Sequence, residues 1–140
     1  MVEKDYSHRS VVDKLGIKPG QRVRITGDVG DALKAAAKSR IGGSLLRSGE
    51  FDVIVRLVRS TDEADAFLSR VRPQMREQSS AIWLATWKNG DPRYLAQEEL
   101  ISIGKLHGLV DNKTCSIDDK RSAMRFVIPR ALREEQNSQT

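Results

Sequence analysis

The sequence predicts an α/β fold, a mainly parallel, Rossmann-like sheet of about five strands in two or three layers. The strongest observation is the apolar run Ala81–Ala85, whose successive side chains must point to opposite faces of a strand. Apolar residues on both faces indicate a central strand that is covered on both sides. The second observation is the order of the elements, β-α-β-α-β-α-β-β, which is typical of parallel sheets with crossover helices.

Strand patterns recur along the chain. Arg22–Thr26 alternates apolar and charged residues, as a half-buried strand does, and Phe51–Val58 is a second strong strand. After the central strand come Leu109–Ile117 and Ala123–Ile128. The short polar connection at Ile117–Lys120 predicts that these two form an antiparallel hairpin at one edge of the sheet.

Helical patterns lie between the strands. Ser10 begins a short helix, and an alanine-rich helix follows over Asp31–Arg40. Ser60–Glu63 forms a capping box that opens the next helix. Asp91-Pro92 predicts the start of the last one, with Leu106 in its buried stripe.

The handedness of crossovers predicts where these helices lie. If the parallel strands lie side by side in chain order, right-handed crossovers place both intervening helices on one face. The other face of the central strand then needs a cover, either a second subunit or the N-terminal segment Tyr6–Leu15. We favour that segment because Val11, Val12 and Leu15 form an apolar stripe. The alternative is a first helix on the opposite face, with the first strand in the middle of the sheet.

Composition sets the broad class of the protein. Its 140 residues are one domain by length, and no apolar run is long enough to span a membrane. The N-terminus has no apolar signal region, and a single cysteine cannot form an internal disulfide. We therefore expect a cytoplasmic protein with one domain over 1–130 and a polar tail over 131–140. The net charge of +5 permits an acidic partner, but a mixed-charge surface also explains it.

Six short stretches carry a resemblance to a known family: Asp5-Tyr-Ser7, Leu15-Gly-Ile-Lys-Pro-Gly20, Trp87-Lys88, Gly108-Leu-Val-Asp111, Cys115-Ser-Ile-Asp118 and Arg125-Phe-Val127. In these stretches the sequence resembles domain-of-unknown-function family 3052. Its layout resembles a shortened class I methyltransferase fold, whose parallel sheet also ends in an antiparallel hairpin. The resemblance implies a small bacterial protein without established activity and brings no catalytic residues. The chain departs from the family at Lys120-Arg121, where a tryptophan is expected.

The loop after the first strand tests the methyltransferase resemblance. It reads Thr26-Gly-Asp-Val-Gly-Asp31 rather than G-x-G-x-x-G, and Asp28 and Asp31 would repel a pyrophosphate. Capping of the following helix explains both acids. No second strand ending in a ribose-binding acid fits between Arg40 and Phe51. We therefore predict no cofactor, and no specific binding of S-adenosylmethionine.

Four residues form the best candidate ligand site. Trp87 and Lys88 end the central strand, at the edge where open α/β sheets bind ligands. Arg59 ends the neighbouring strand and Asp28 follows the first, so together they would line one crevice. The alternative interpretation is a set of surface residues at a loop junction.

The remaining reactive side chains favour structural roles. His8 and His107 lack companions at ligand spacing, and Cys115 with one histidine cannot complete a zinc site. Cys115 lies within a strand pattern, as a small core residue would. We therefore predict no metal site and no catalytic residues.

Three hypotheses about function stay open. The first is a degenerate methyltransferase-like domain that acts by binding or by self-association as a homodimer. The second is a small-ligand-binding protein or enzyme that uses the crevice described above. The third is a nucleic-acid-binding module that uses its arginines, although an aromatic content of 5% argues against stacking of single strands.

Overall fold

A five-stranded sheet forms the middle of three layers, with helices on both faces. The computed structural model describes residues 10–76 and 79–129. Its strands are β1 (Val23–Thr26), β2 (Val53–Leu57), β3 (Ala81–Trp87), β4 (Val110–Ser116) and β5 (Arg121–Val127). Its helices are α1 (Val11–Lys14), α2 (Asp31–Ile41), α3 (Thr61–Val71) and α4 (Gln97–Leu106).

The strands lie side by side in the order β1-β2-β3-β5-β4, which places β3 in the centre. β1, β2 and β3 pair in parallel, whereas β5 pairs antiparallel with both β3 and β4. The predicted α/β class with about five strands is therefore confirmed. The sheet is mixed, because its parallel pairing is limited to β1, β2 and β3. Tyr6, His8 and the tail over 131–140 fall outside the described residues.

β3 is buried along its whole length, as its unbroken apolar run predicts. Its alternate side chains belong to two separate cores, one on each face of the sheet. Trp83 and Ala85 belong to one core, on the side that we call the Trp83 face. Ile82 and Leu84 belong to the other, on the side that we call the Ile82 face.

The two faces carry different helices. α1 and α2 pack on the Trp83 face, whereas α3 and α4 pack on the Ile82 face. The prediction that both crossover helices share one face is therefore wrong. The expected cover from the N-terminal side is present, because Val12 and Leu15 belong to the core of the Trp83 face. In the alternative arrangement the helix placement was right, but β1 lies at the edge of the sheet rather than in its middle.

The connection between α2 and β2 explains why the crossover rule fails here. The rule assumes that a helix leads directly into the next parallel strand. Instead, residues 42–52 run along the free edge of β1, where Leu46 N–H donates to Val23 O at 2.8 Å. Leu45 packs on the core of the Trp83 face, whereas Phe51 belongs to the core of the Ile82 face. The chain thus passes around the edge of β1 from one face to the other.

Two details of the last helix differ from the sequence prediction. α4 begins at Gln97 with Ala96 as its N-cap, so Asp91 does not start it. The Asp91 carboxylate instead accepts the backbone N–H of Arg93 at 2.8 Å, which forms a tight polar turn. Leu106 is 78% exposed rather than buried, because it lies in the last turn, beyond the residues that reach the sheet.

Candidate functional site

The carboxyl ends of β1 and β2 lie side by side. From β1 the chain continues to α2 on the Trp83 face, and from β2 it continues to α3 on the Ile82 face. Open α/β sheets form a binding crevice at such a point. Here the loop after β1 lies close against β2 and narrows that crevice. Gly27 has a φ of +80°, and a Cβ built on it would lie 2.9 Å from Leu57 O. The loop after β1 therefore rests directly on β2, and only a residue without a side chain fits there.

Asp28 is held by an arginine from the other end of the chain. Arg121 on β5 donates through Nη2 to Asp28 Oδ1 at 2.9 Å and through Nε to Asp28 O at 2.7 Å. Its Nη1 donates to Asp118 Oδ2 at 2.6 Å. Only 13% of the Arg121 side chain is exposed. One guanidinium thus joins the loop after β1 to the turn between β4 and β5.

The N-terminus of α2 faces the same ion pair. Its N-cap is Gly30, which has no side chain to cap the helix. A Cβ built on Gly30 would lie 3.5 Å from Arg121 Nη1 and 3.7 Å from Asp118 Oδ2. Asp118 therefore brings a carboxylate to the positive end of the helix dipole. The expectation that Asp28 caps α2 is wrong, because its carboxylate binds Arg121.

Asp118 stays ionised in this position. Burial opposes its ionisation, but hydrogen bonds from the backbone of Lys120 and from Arg121 outweigh burial and lower the pKa of Asp118. A carboxylate with a lowered pKa stabilises the fold above its ordinary pKa, and this stabilisation is lost as the pH falls through the folded-state pKa.

Trp87 joins this network through its indole ring. The ring is 5% exposed and belongs to the core of the Trp83 face. The guanidinium carbon of Arg93 lies 3.8 Å from the ring centroid, and that of Arg121 lies 4.8 Å from it. Hydrogen bonds from Arg93 in turn lower the pKa of Asp91 to about 2. The two arginines cover the ring, so it offers no open stacking surface.

Lys88 and Arg59 point away from Asp28 and Trp87. Successive strand residues alternate between faces, so Lys88 lies on the Ile82 face, where its Nζ donates to Ser116 Oγ at 2.8 Å. Arg59 turns to the start of α3, where its Nη2 lies 3.0 Å from Glu63 Oε2. The structure therefore joins Asp28 and Trp87 through Arg121 and separates them from the other two residues. A ligand-binding role for any of the four stays a prediction.

Sequence reasoning missed Arg121, which links this edge together. It stands opposite Trp87 in the antiparallel register of β3 and β5, and no local pattern reveals that pairing. One signal was present: Arg121 occupies the place near the hairpin turn where the resemblance led us to expect a tryptophan.

A cavity of about 260 Å³ opens on the Ile82 face, beside Lys88 and Ser116. Hydroxyl groups of β3, β4 and β5 line it together with the first residue of α4, and the polar members are Thr86, Gln97, Thr114, Ser116 and Ser122. Thr86 is 5% exposed. The cavity therefore combines these polar side chains with the apolar residues Leu84, Leu100 and Met124.

The other reactive side chains have structural surroundings. Burial raises the pKa of the Cys115 thiol, which disfavours the thiolate. His107 Nε2 lies 2.7 Å from Asp65 Oδ1 and so ties the end of α4 to α3. In the part of the chain that the structure describes, no three His, Cys, Asp or Glu side chains gather as metal ligands. No helix there has the length and hydropathy needed to cross a bilayer.

Solved structures with a similar fold include methyltransferases. A SAM-dependent methyltransferase from Aquifex aeolicus is 13% identical, with a TM-score of 0.57 over 85% of this chain and 88% of its own. The magnesium protoporphyrin IX methyltransferase from Synechocystis with bound SAM is 12% identical, with a TM-score of 0.56 over 92% and 86%. Aeropyrum pernix fibrillarin with bound S-adenosyl-L-methionine is 11% identical, with a TM-score of 0.55 over 86% and 76%. At these identities the likeness shows the fold alone.

The sequence itself gives a narrower assignment. No curated protein matches it. Residues 12–130 match the family described as "Protein of unknown function (DUF3052)", which covers every strand and nearly all of the described residues. The chain is therefore a member of the DUF3052 family, with a methyltransferase-like fold.

Proposed function

We propose that this chain is a degenerate methyltransferase-like domain, one that acts by binding and not by methyl transfer. The observation that carries the proposal is the set of contacts that narrow the crevice at the carboxyl ends of β1 and β2. Gly27 lies against Leu57, and Asp118 with Arg121 stands before the N-terminus of α2. A cavity of about 270 Å³ remains beside Gly30, but the carboxylate of Asp118 lines it, at the helix N-terminus where this fold class holds a nucleotide-like ligand.

The residues present do not fit S-adenosylmethionine, the ligand named for the solved structures of similar fold. The first βα turn lacks the glycine pattern and carries Asp28 instead. A nucleotide ribose is commonly held by an acid after the second strand of such a fold. Here residues 42–52 lead from α2 around the edge of β1 to β2 without forming that strand. We therefore derive no methyl-transfer step.

Calorimetry with S-adenosylmethionine tests the proposal. We expect no binding heat from the parent protein, because the crevice is narrowed by these contacts and the ribose acid is missing. We expect none from Arg121→Ala either, since removal of that guanidinium opens one contact without supplying the acid. Micromolar affinity in the parent protein would overturn the proposal. Micromolar affinity in Arg121→Ala alone would show that only the ion pair blocks an otherwise competent site, which contradicts the argument from the missing acid.

A second candidate function is binding of a small hydroxylated molecule in the cavity beside Lys88. It is favoured by the lining of that cavity, in which the hydroxyl groups of Thr86, Thr114, Ser116 and Ser122 and the amide of Gln97 stand among apolar side chains. Gln97 and Glu98 begin α4 after an alanine N-cap, so their backbone N–H groups are also free to donate. The volume of about 260 Å³ suits a ligand of one ring.

A thermal-shift screen of sugars, polyols and nucleosides tests this second candidate. We expect at least one compound to raise the melting temperature of the parent protein but not of Thr86→Val, which replaces the hydroxyl by a methyl group of equal size. Ser44→Ala is the matched control, because it removes an exposed hydroxyl outside the cavity. The candidate is wrong if no compound shifts the parent, or if Thr86→Val responds as the parent does.

A further inference from the structure

Three arginines gather on the Ile82 face where the edge strand β1 and its neighbour β2 meet α3. Arg24, Arg56 and Arg70 form what we call the arginine cluster. The guanidinium carbon of Arg24 lies 5.8 Å from the centroid of Phe51. Those of Arg56 and Arg70 lie 5.2 and 5.9 Å from the centroid of Phe67. Three guanidinium groups therefore lie close to two buried aromatic rings.

Few carboxylates contact this cluster. Among the described residues, Arg24 donates to the neutral acceptors Gln74 Oε1 at 2.6 Å and Gly49 O at 3.0 Å. Arg56 lies 3.8 Å from Glu63 Oε1, but the same carboxylate also binds the nearby Arg59 at 3.0 Å. Glu63 is thus shared between two arginines, while the neighbouring acids Glu50 and Asp52 pair with Arg22 and Arg76.

The cluster is also short of hydrogen bonds. Nε of Arg24 and Nε of Arg56 are buried and have no partner in the described part of the chain. Burial, and the charge of Arg70 nearby, lower the pKa of Arg24. A side chain chosen only to cover Phe51 would be apolar, because even a partly buried guanidinium without a carboxylate costs free energy of desolvation. The positive charge at Arg24 therefore needs an explanation beyond packing.

The positive surface continues around the edge of β1. Arg56 Nη1 donates to Thr26 Oγ1 at 3.4 Å, and Thr26 also lines a cavity of about 590 Å³ at the free edge of the strand. Lys38 and Arg47 are the charged residues of that cavity, and no acid lines it. Cations thus lie on both sides of Thr26, and we call the arginine cluster together with Lys38 and Arg47 the cationic band.

We infer that this band binds the phosphodiester backbone of a nucleic acid. Guanidinium groups match phosphate oxygens in charge and in geometry, and Arg70 of the arginine cluster is exposed to such a partner. Phe51 and Phe67 are 0% and 2% exposed, so neither ring can stack with a base. The contact would therefore be to the backbone and independent of sequence. The inference rests on the proposed function insofar as it names the ligand of a binding domain.

Fluorescence anisotropy with a single-stranded RNA of about 20 nucleotides, and with the matching duplex, tests the inference. Affinity should fall as salt rises from about 50 to 200 mM, with a slope of about −2 to −3 if three phosphates are contacted. Arg70→Ala removes an exposed member of the arginine cluster. It should weaken binding about fivefold and reduce the slope by about one.

Arg24→Met separates a binding role from a structural one. It keeps an apolar chain over Phe51 and removes the charge, so we expect weaker RNA binding without a fall in melting temperature. Lys113→Ala is the matched control. It removes one exposed positive charge on β4, the opposite edge of the sheet and about 19 Å from β1, and should leave affinity unchanged.

Several results would overturn the inference. They are absence of RNA and duplex binding, an equal loss in Lys113→Ala and Arg70→Ala, and unchanged binding in both arginine variants. Competition by inorganic pyrophosphate at concentrations far below those of RNA phosphate would show a small-anion site instead of a nucleic-acid surface.

Calorimetry with S-adenosylmethionine on the same samples distinguishes failure of this inference from failure of the proposed function. If the parent protein binds neither S-adenosylmethionine nor RNA, the proposed function stands and only the present inference is wrong.

Discussion

Replacing Trp83 by alanine is expected to lower the free energy of unfolding by about 3–5 kcal/mol, the range for loss of a large aromatic side chain from a core. Trp83 is fully buried at the centre of β3, the middle strand of the sheet. Its indole N–H also donates to Leu15 O at 3.1 Å and so ties the segment after α1 to the sheet. The substitution therefore leaves a cavity and an unpaired carbonyl in the same place.

Chemical denaturation measures this loss, and Trp87 remains as the fluorescent reporter. Lys88→Ala is the matched control in the same strand region. It should change the free energy of unfolding by less than about 0.5 kcal/mol, because it removes only the exposed hydrogen bond to Ser116. Trp83→Phe should cost less than Trp83→Ala, since it keeps most of the apolar area and loses the hydrogen bond. If the alanine variants of Trp83 and Lys88 unfold at the same denaturant concentration, Trp83 does not hold the centre of the core.

The central strand could be predicted because its evidence is local. Seven residues in a row decide whether both faces of a strand are apolar, and β3 is buried along that whole length. The distribution of helices could not be predicted in the same way. It depends on the path of residues 42–52. A hydrogen bond from Leu46 to Val23, a residue distant in the sequence, holds that segment against the edge of β1. No pattern within those residues encodes which edge they follow.

The candidate site could likewise be predicted only as far as local patterns and the order of the elements reach. The carboxyl edge of the sheet follows from the order of elements, and both Asp28 and Trp87 lie there. Grouping Trp87 with Lys88 ignored the alternation of side chains, which sends the two residues to opposite faces. Arg121 escaped notice because its contact with Asp28 joins residues 93 positions apart.

Gly27→Ala is expected to lower the free energy of unfolding by about 2–5 kcal/mol, from two additive causes. The first is conformational, because a φ of +80° is unfavourable for a residue with a side chain. The second is steric. The new methyl group would lie 2.9 Å from Leu57 O and 3.1 Å from Leu57 N, so the loop or β2 must move.

Two other glycines separate these causes. Gly42 has a φ of +74° with nothing within 4 Å, so Gly42→Ala should show the conformational cost alone, about 1–2 kcal/mol. Gly43 is also open, and no positive φ is found there, so Gly43→Ala should be neutral or slightly stabilising. The difference between Gly27→Ala and Gly42→Ala therefore measures how tightly the loop after β1 rests on β2.

That difference also bears on function, because the same contact narrows the crevice. A loss in Gly27→Ala well above that in Gly42→Ala is expected if the loop and β2 are in contact throughout the native state. Equal losses would mean that the loop stands away from β2 and that the crevice is open to a ligand. The proposal that this domain does not bind S-adenosylmethionine would then depend on Asp28 and the missing ribose acid alone. Denaturant unfolding of the three alanine variants decides between these outcomes. Their free energies of unfolding are compared with the same m-value, the slope of that free energy against denaturant concentration.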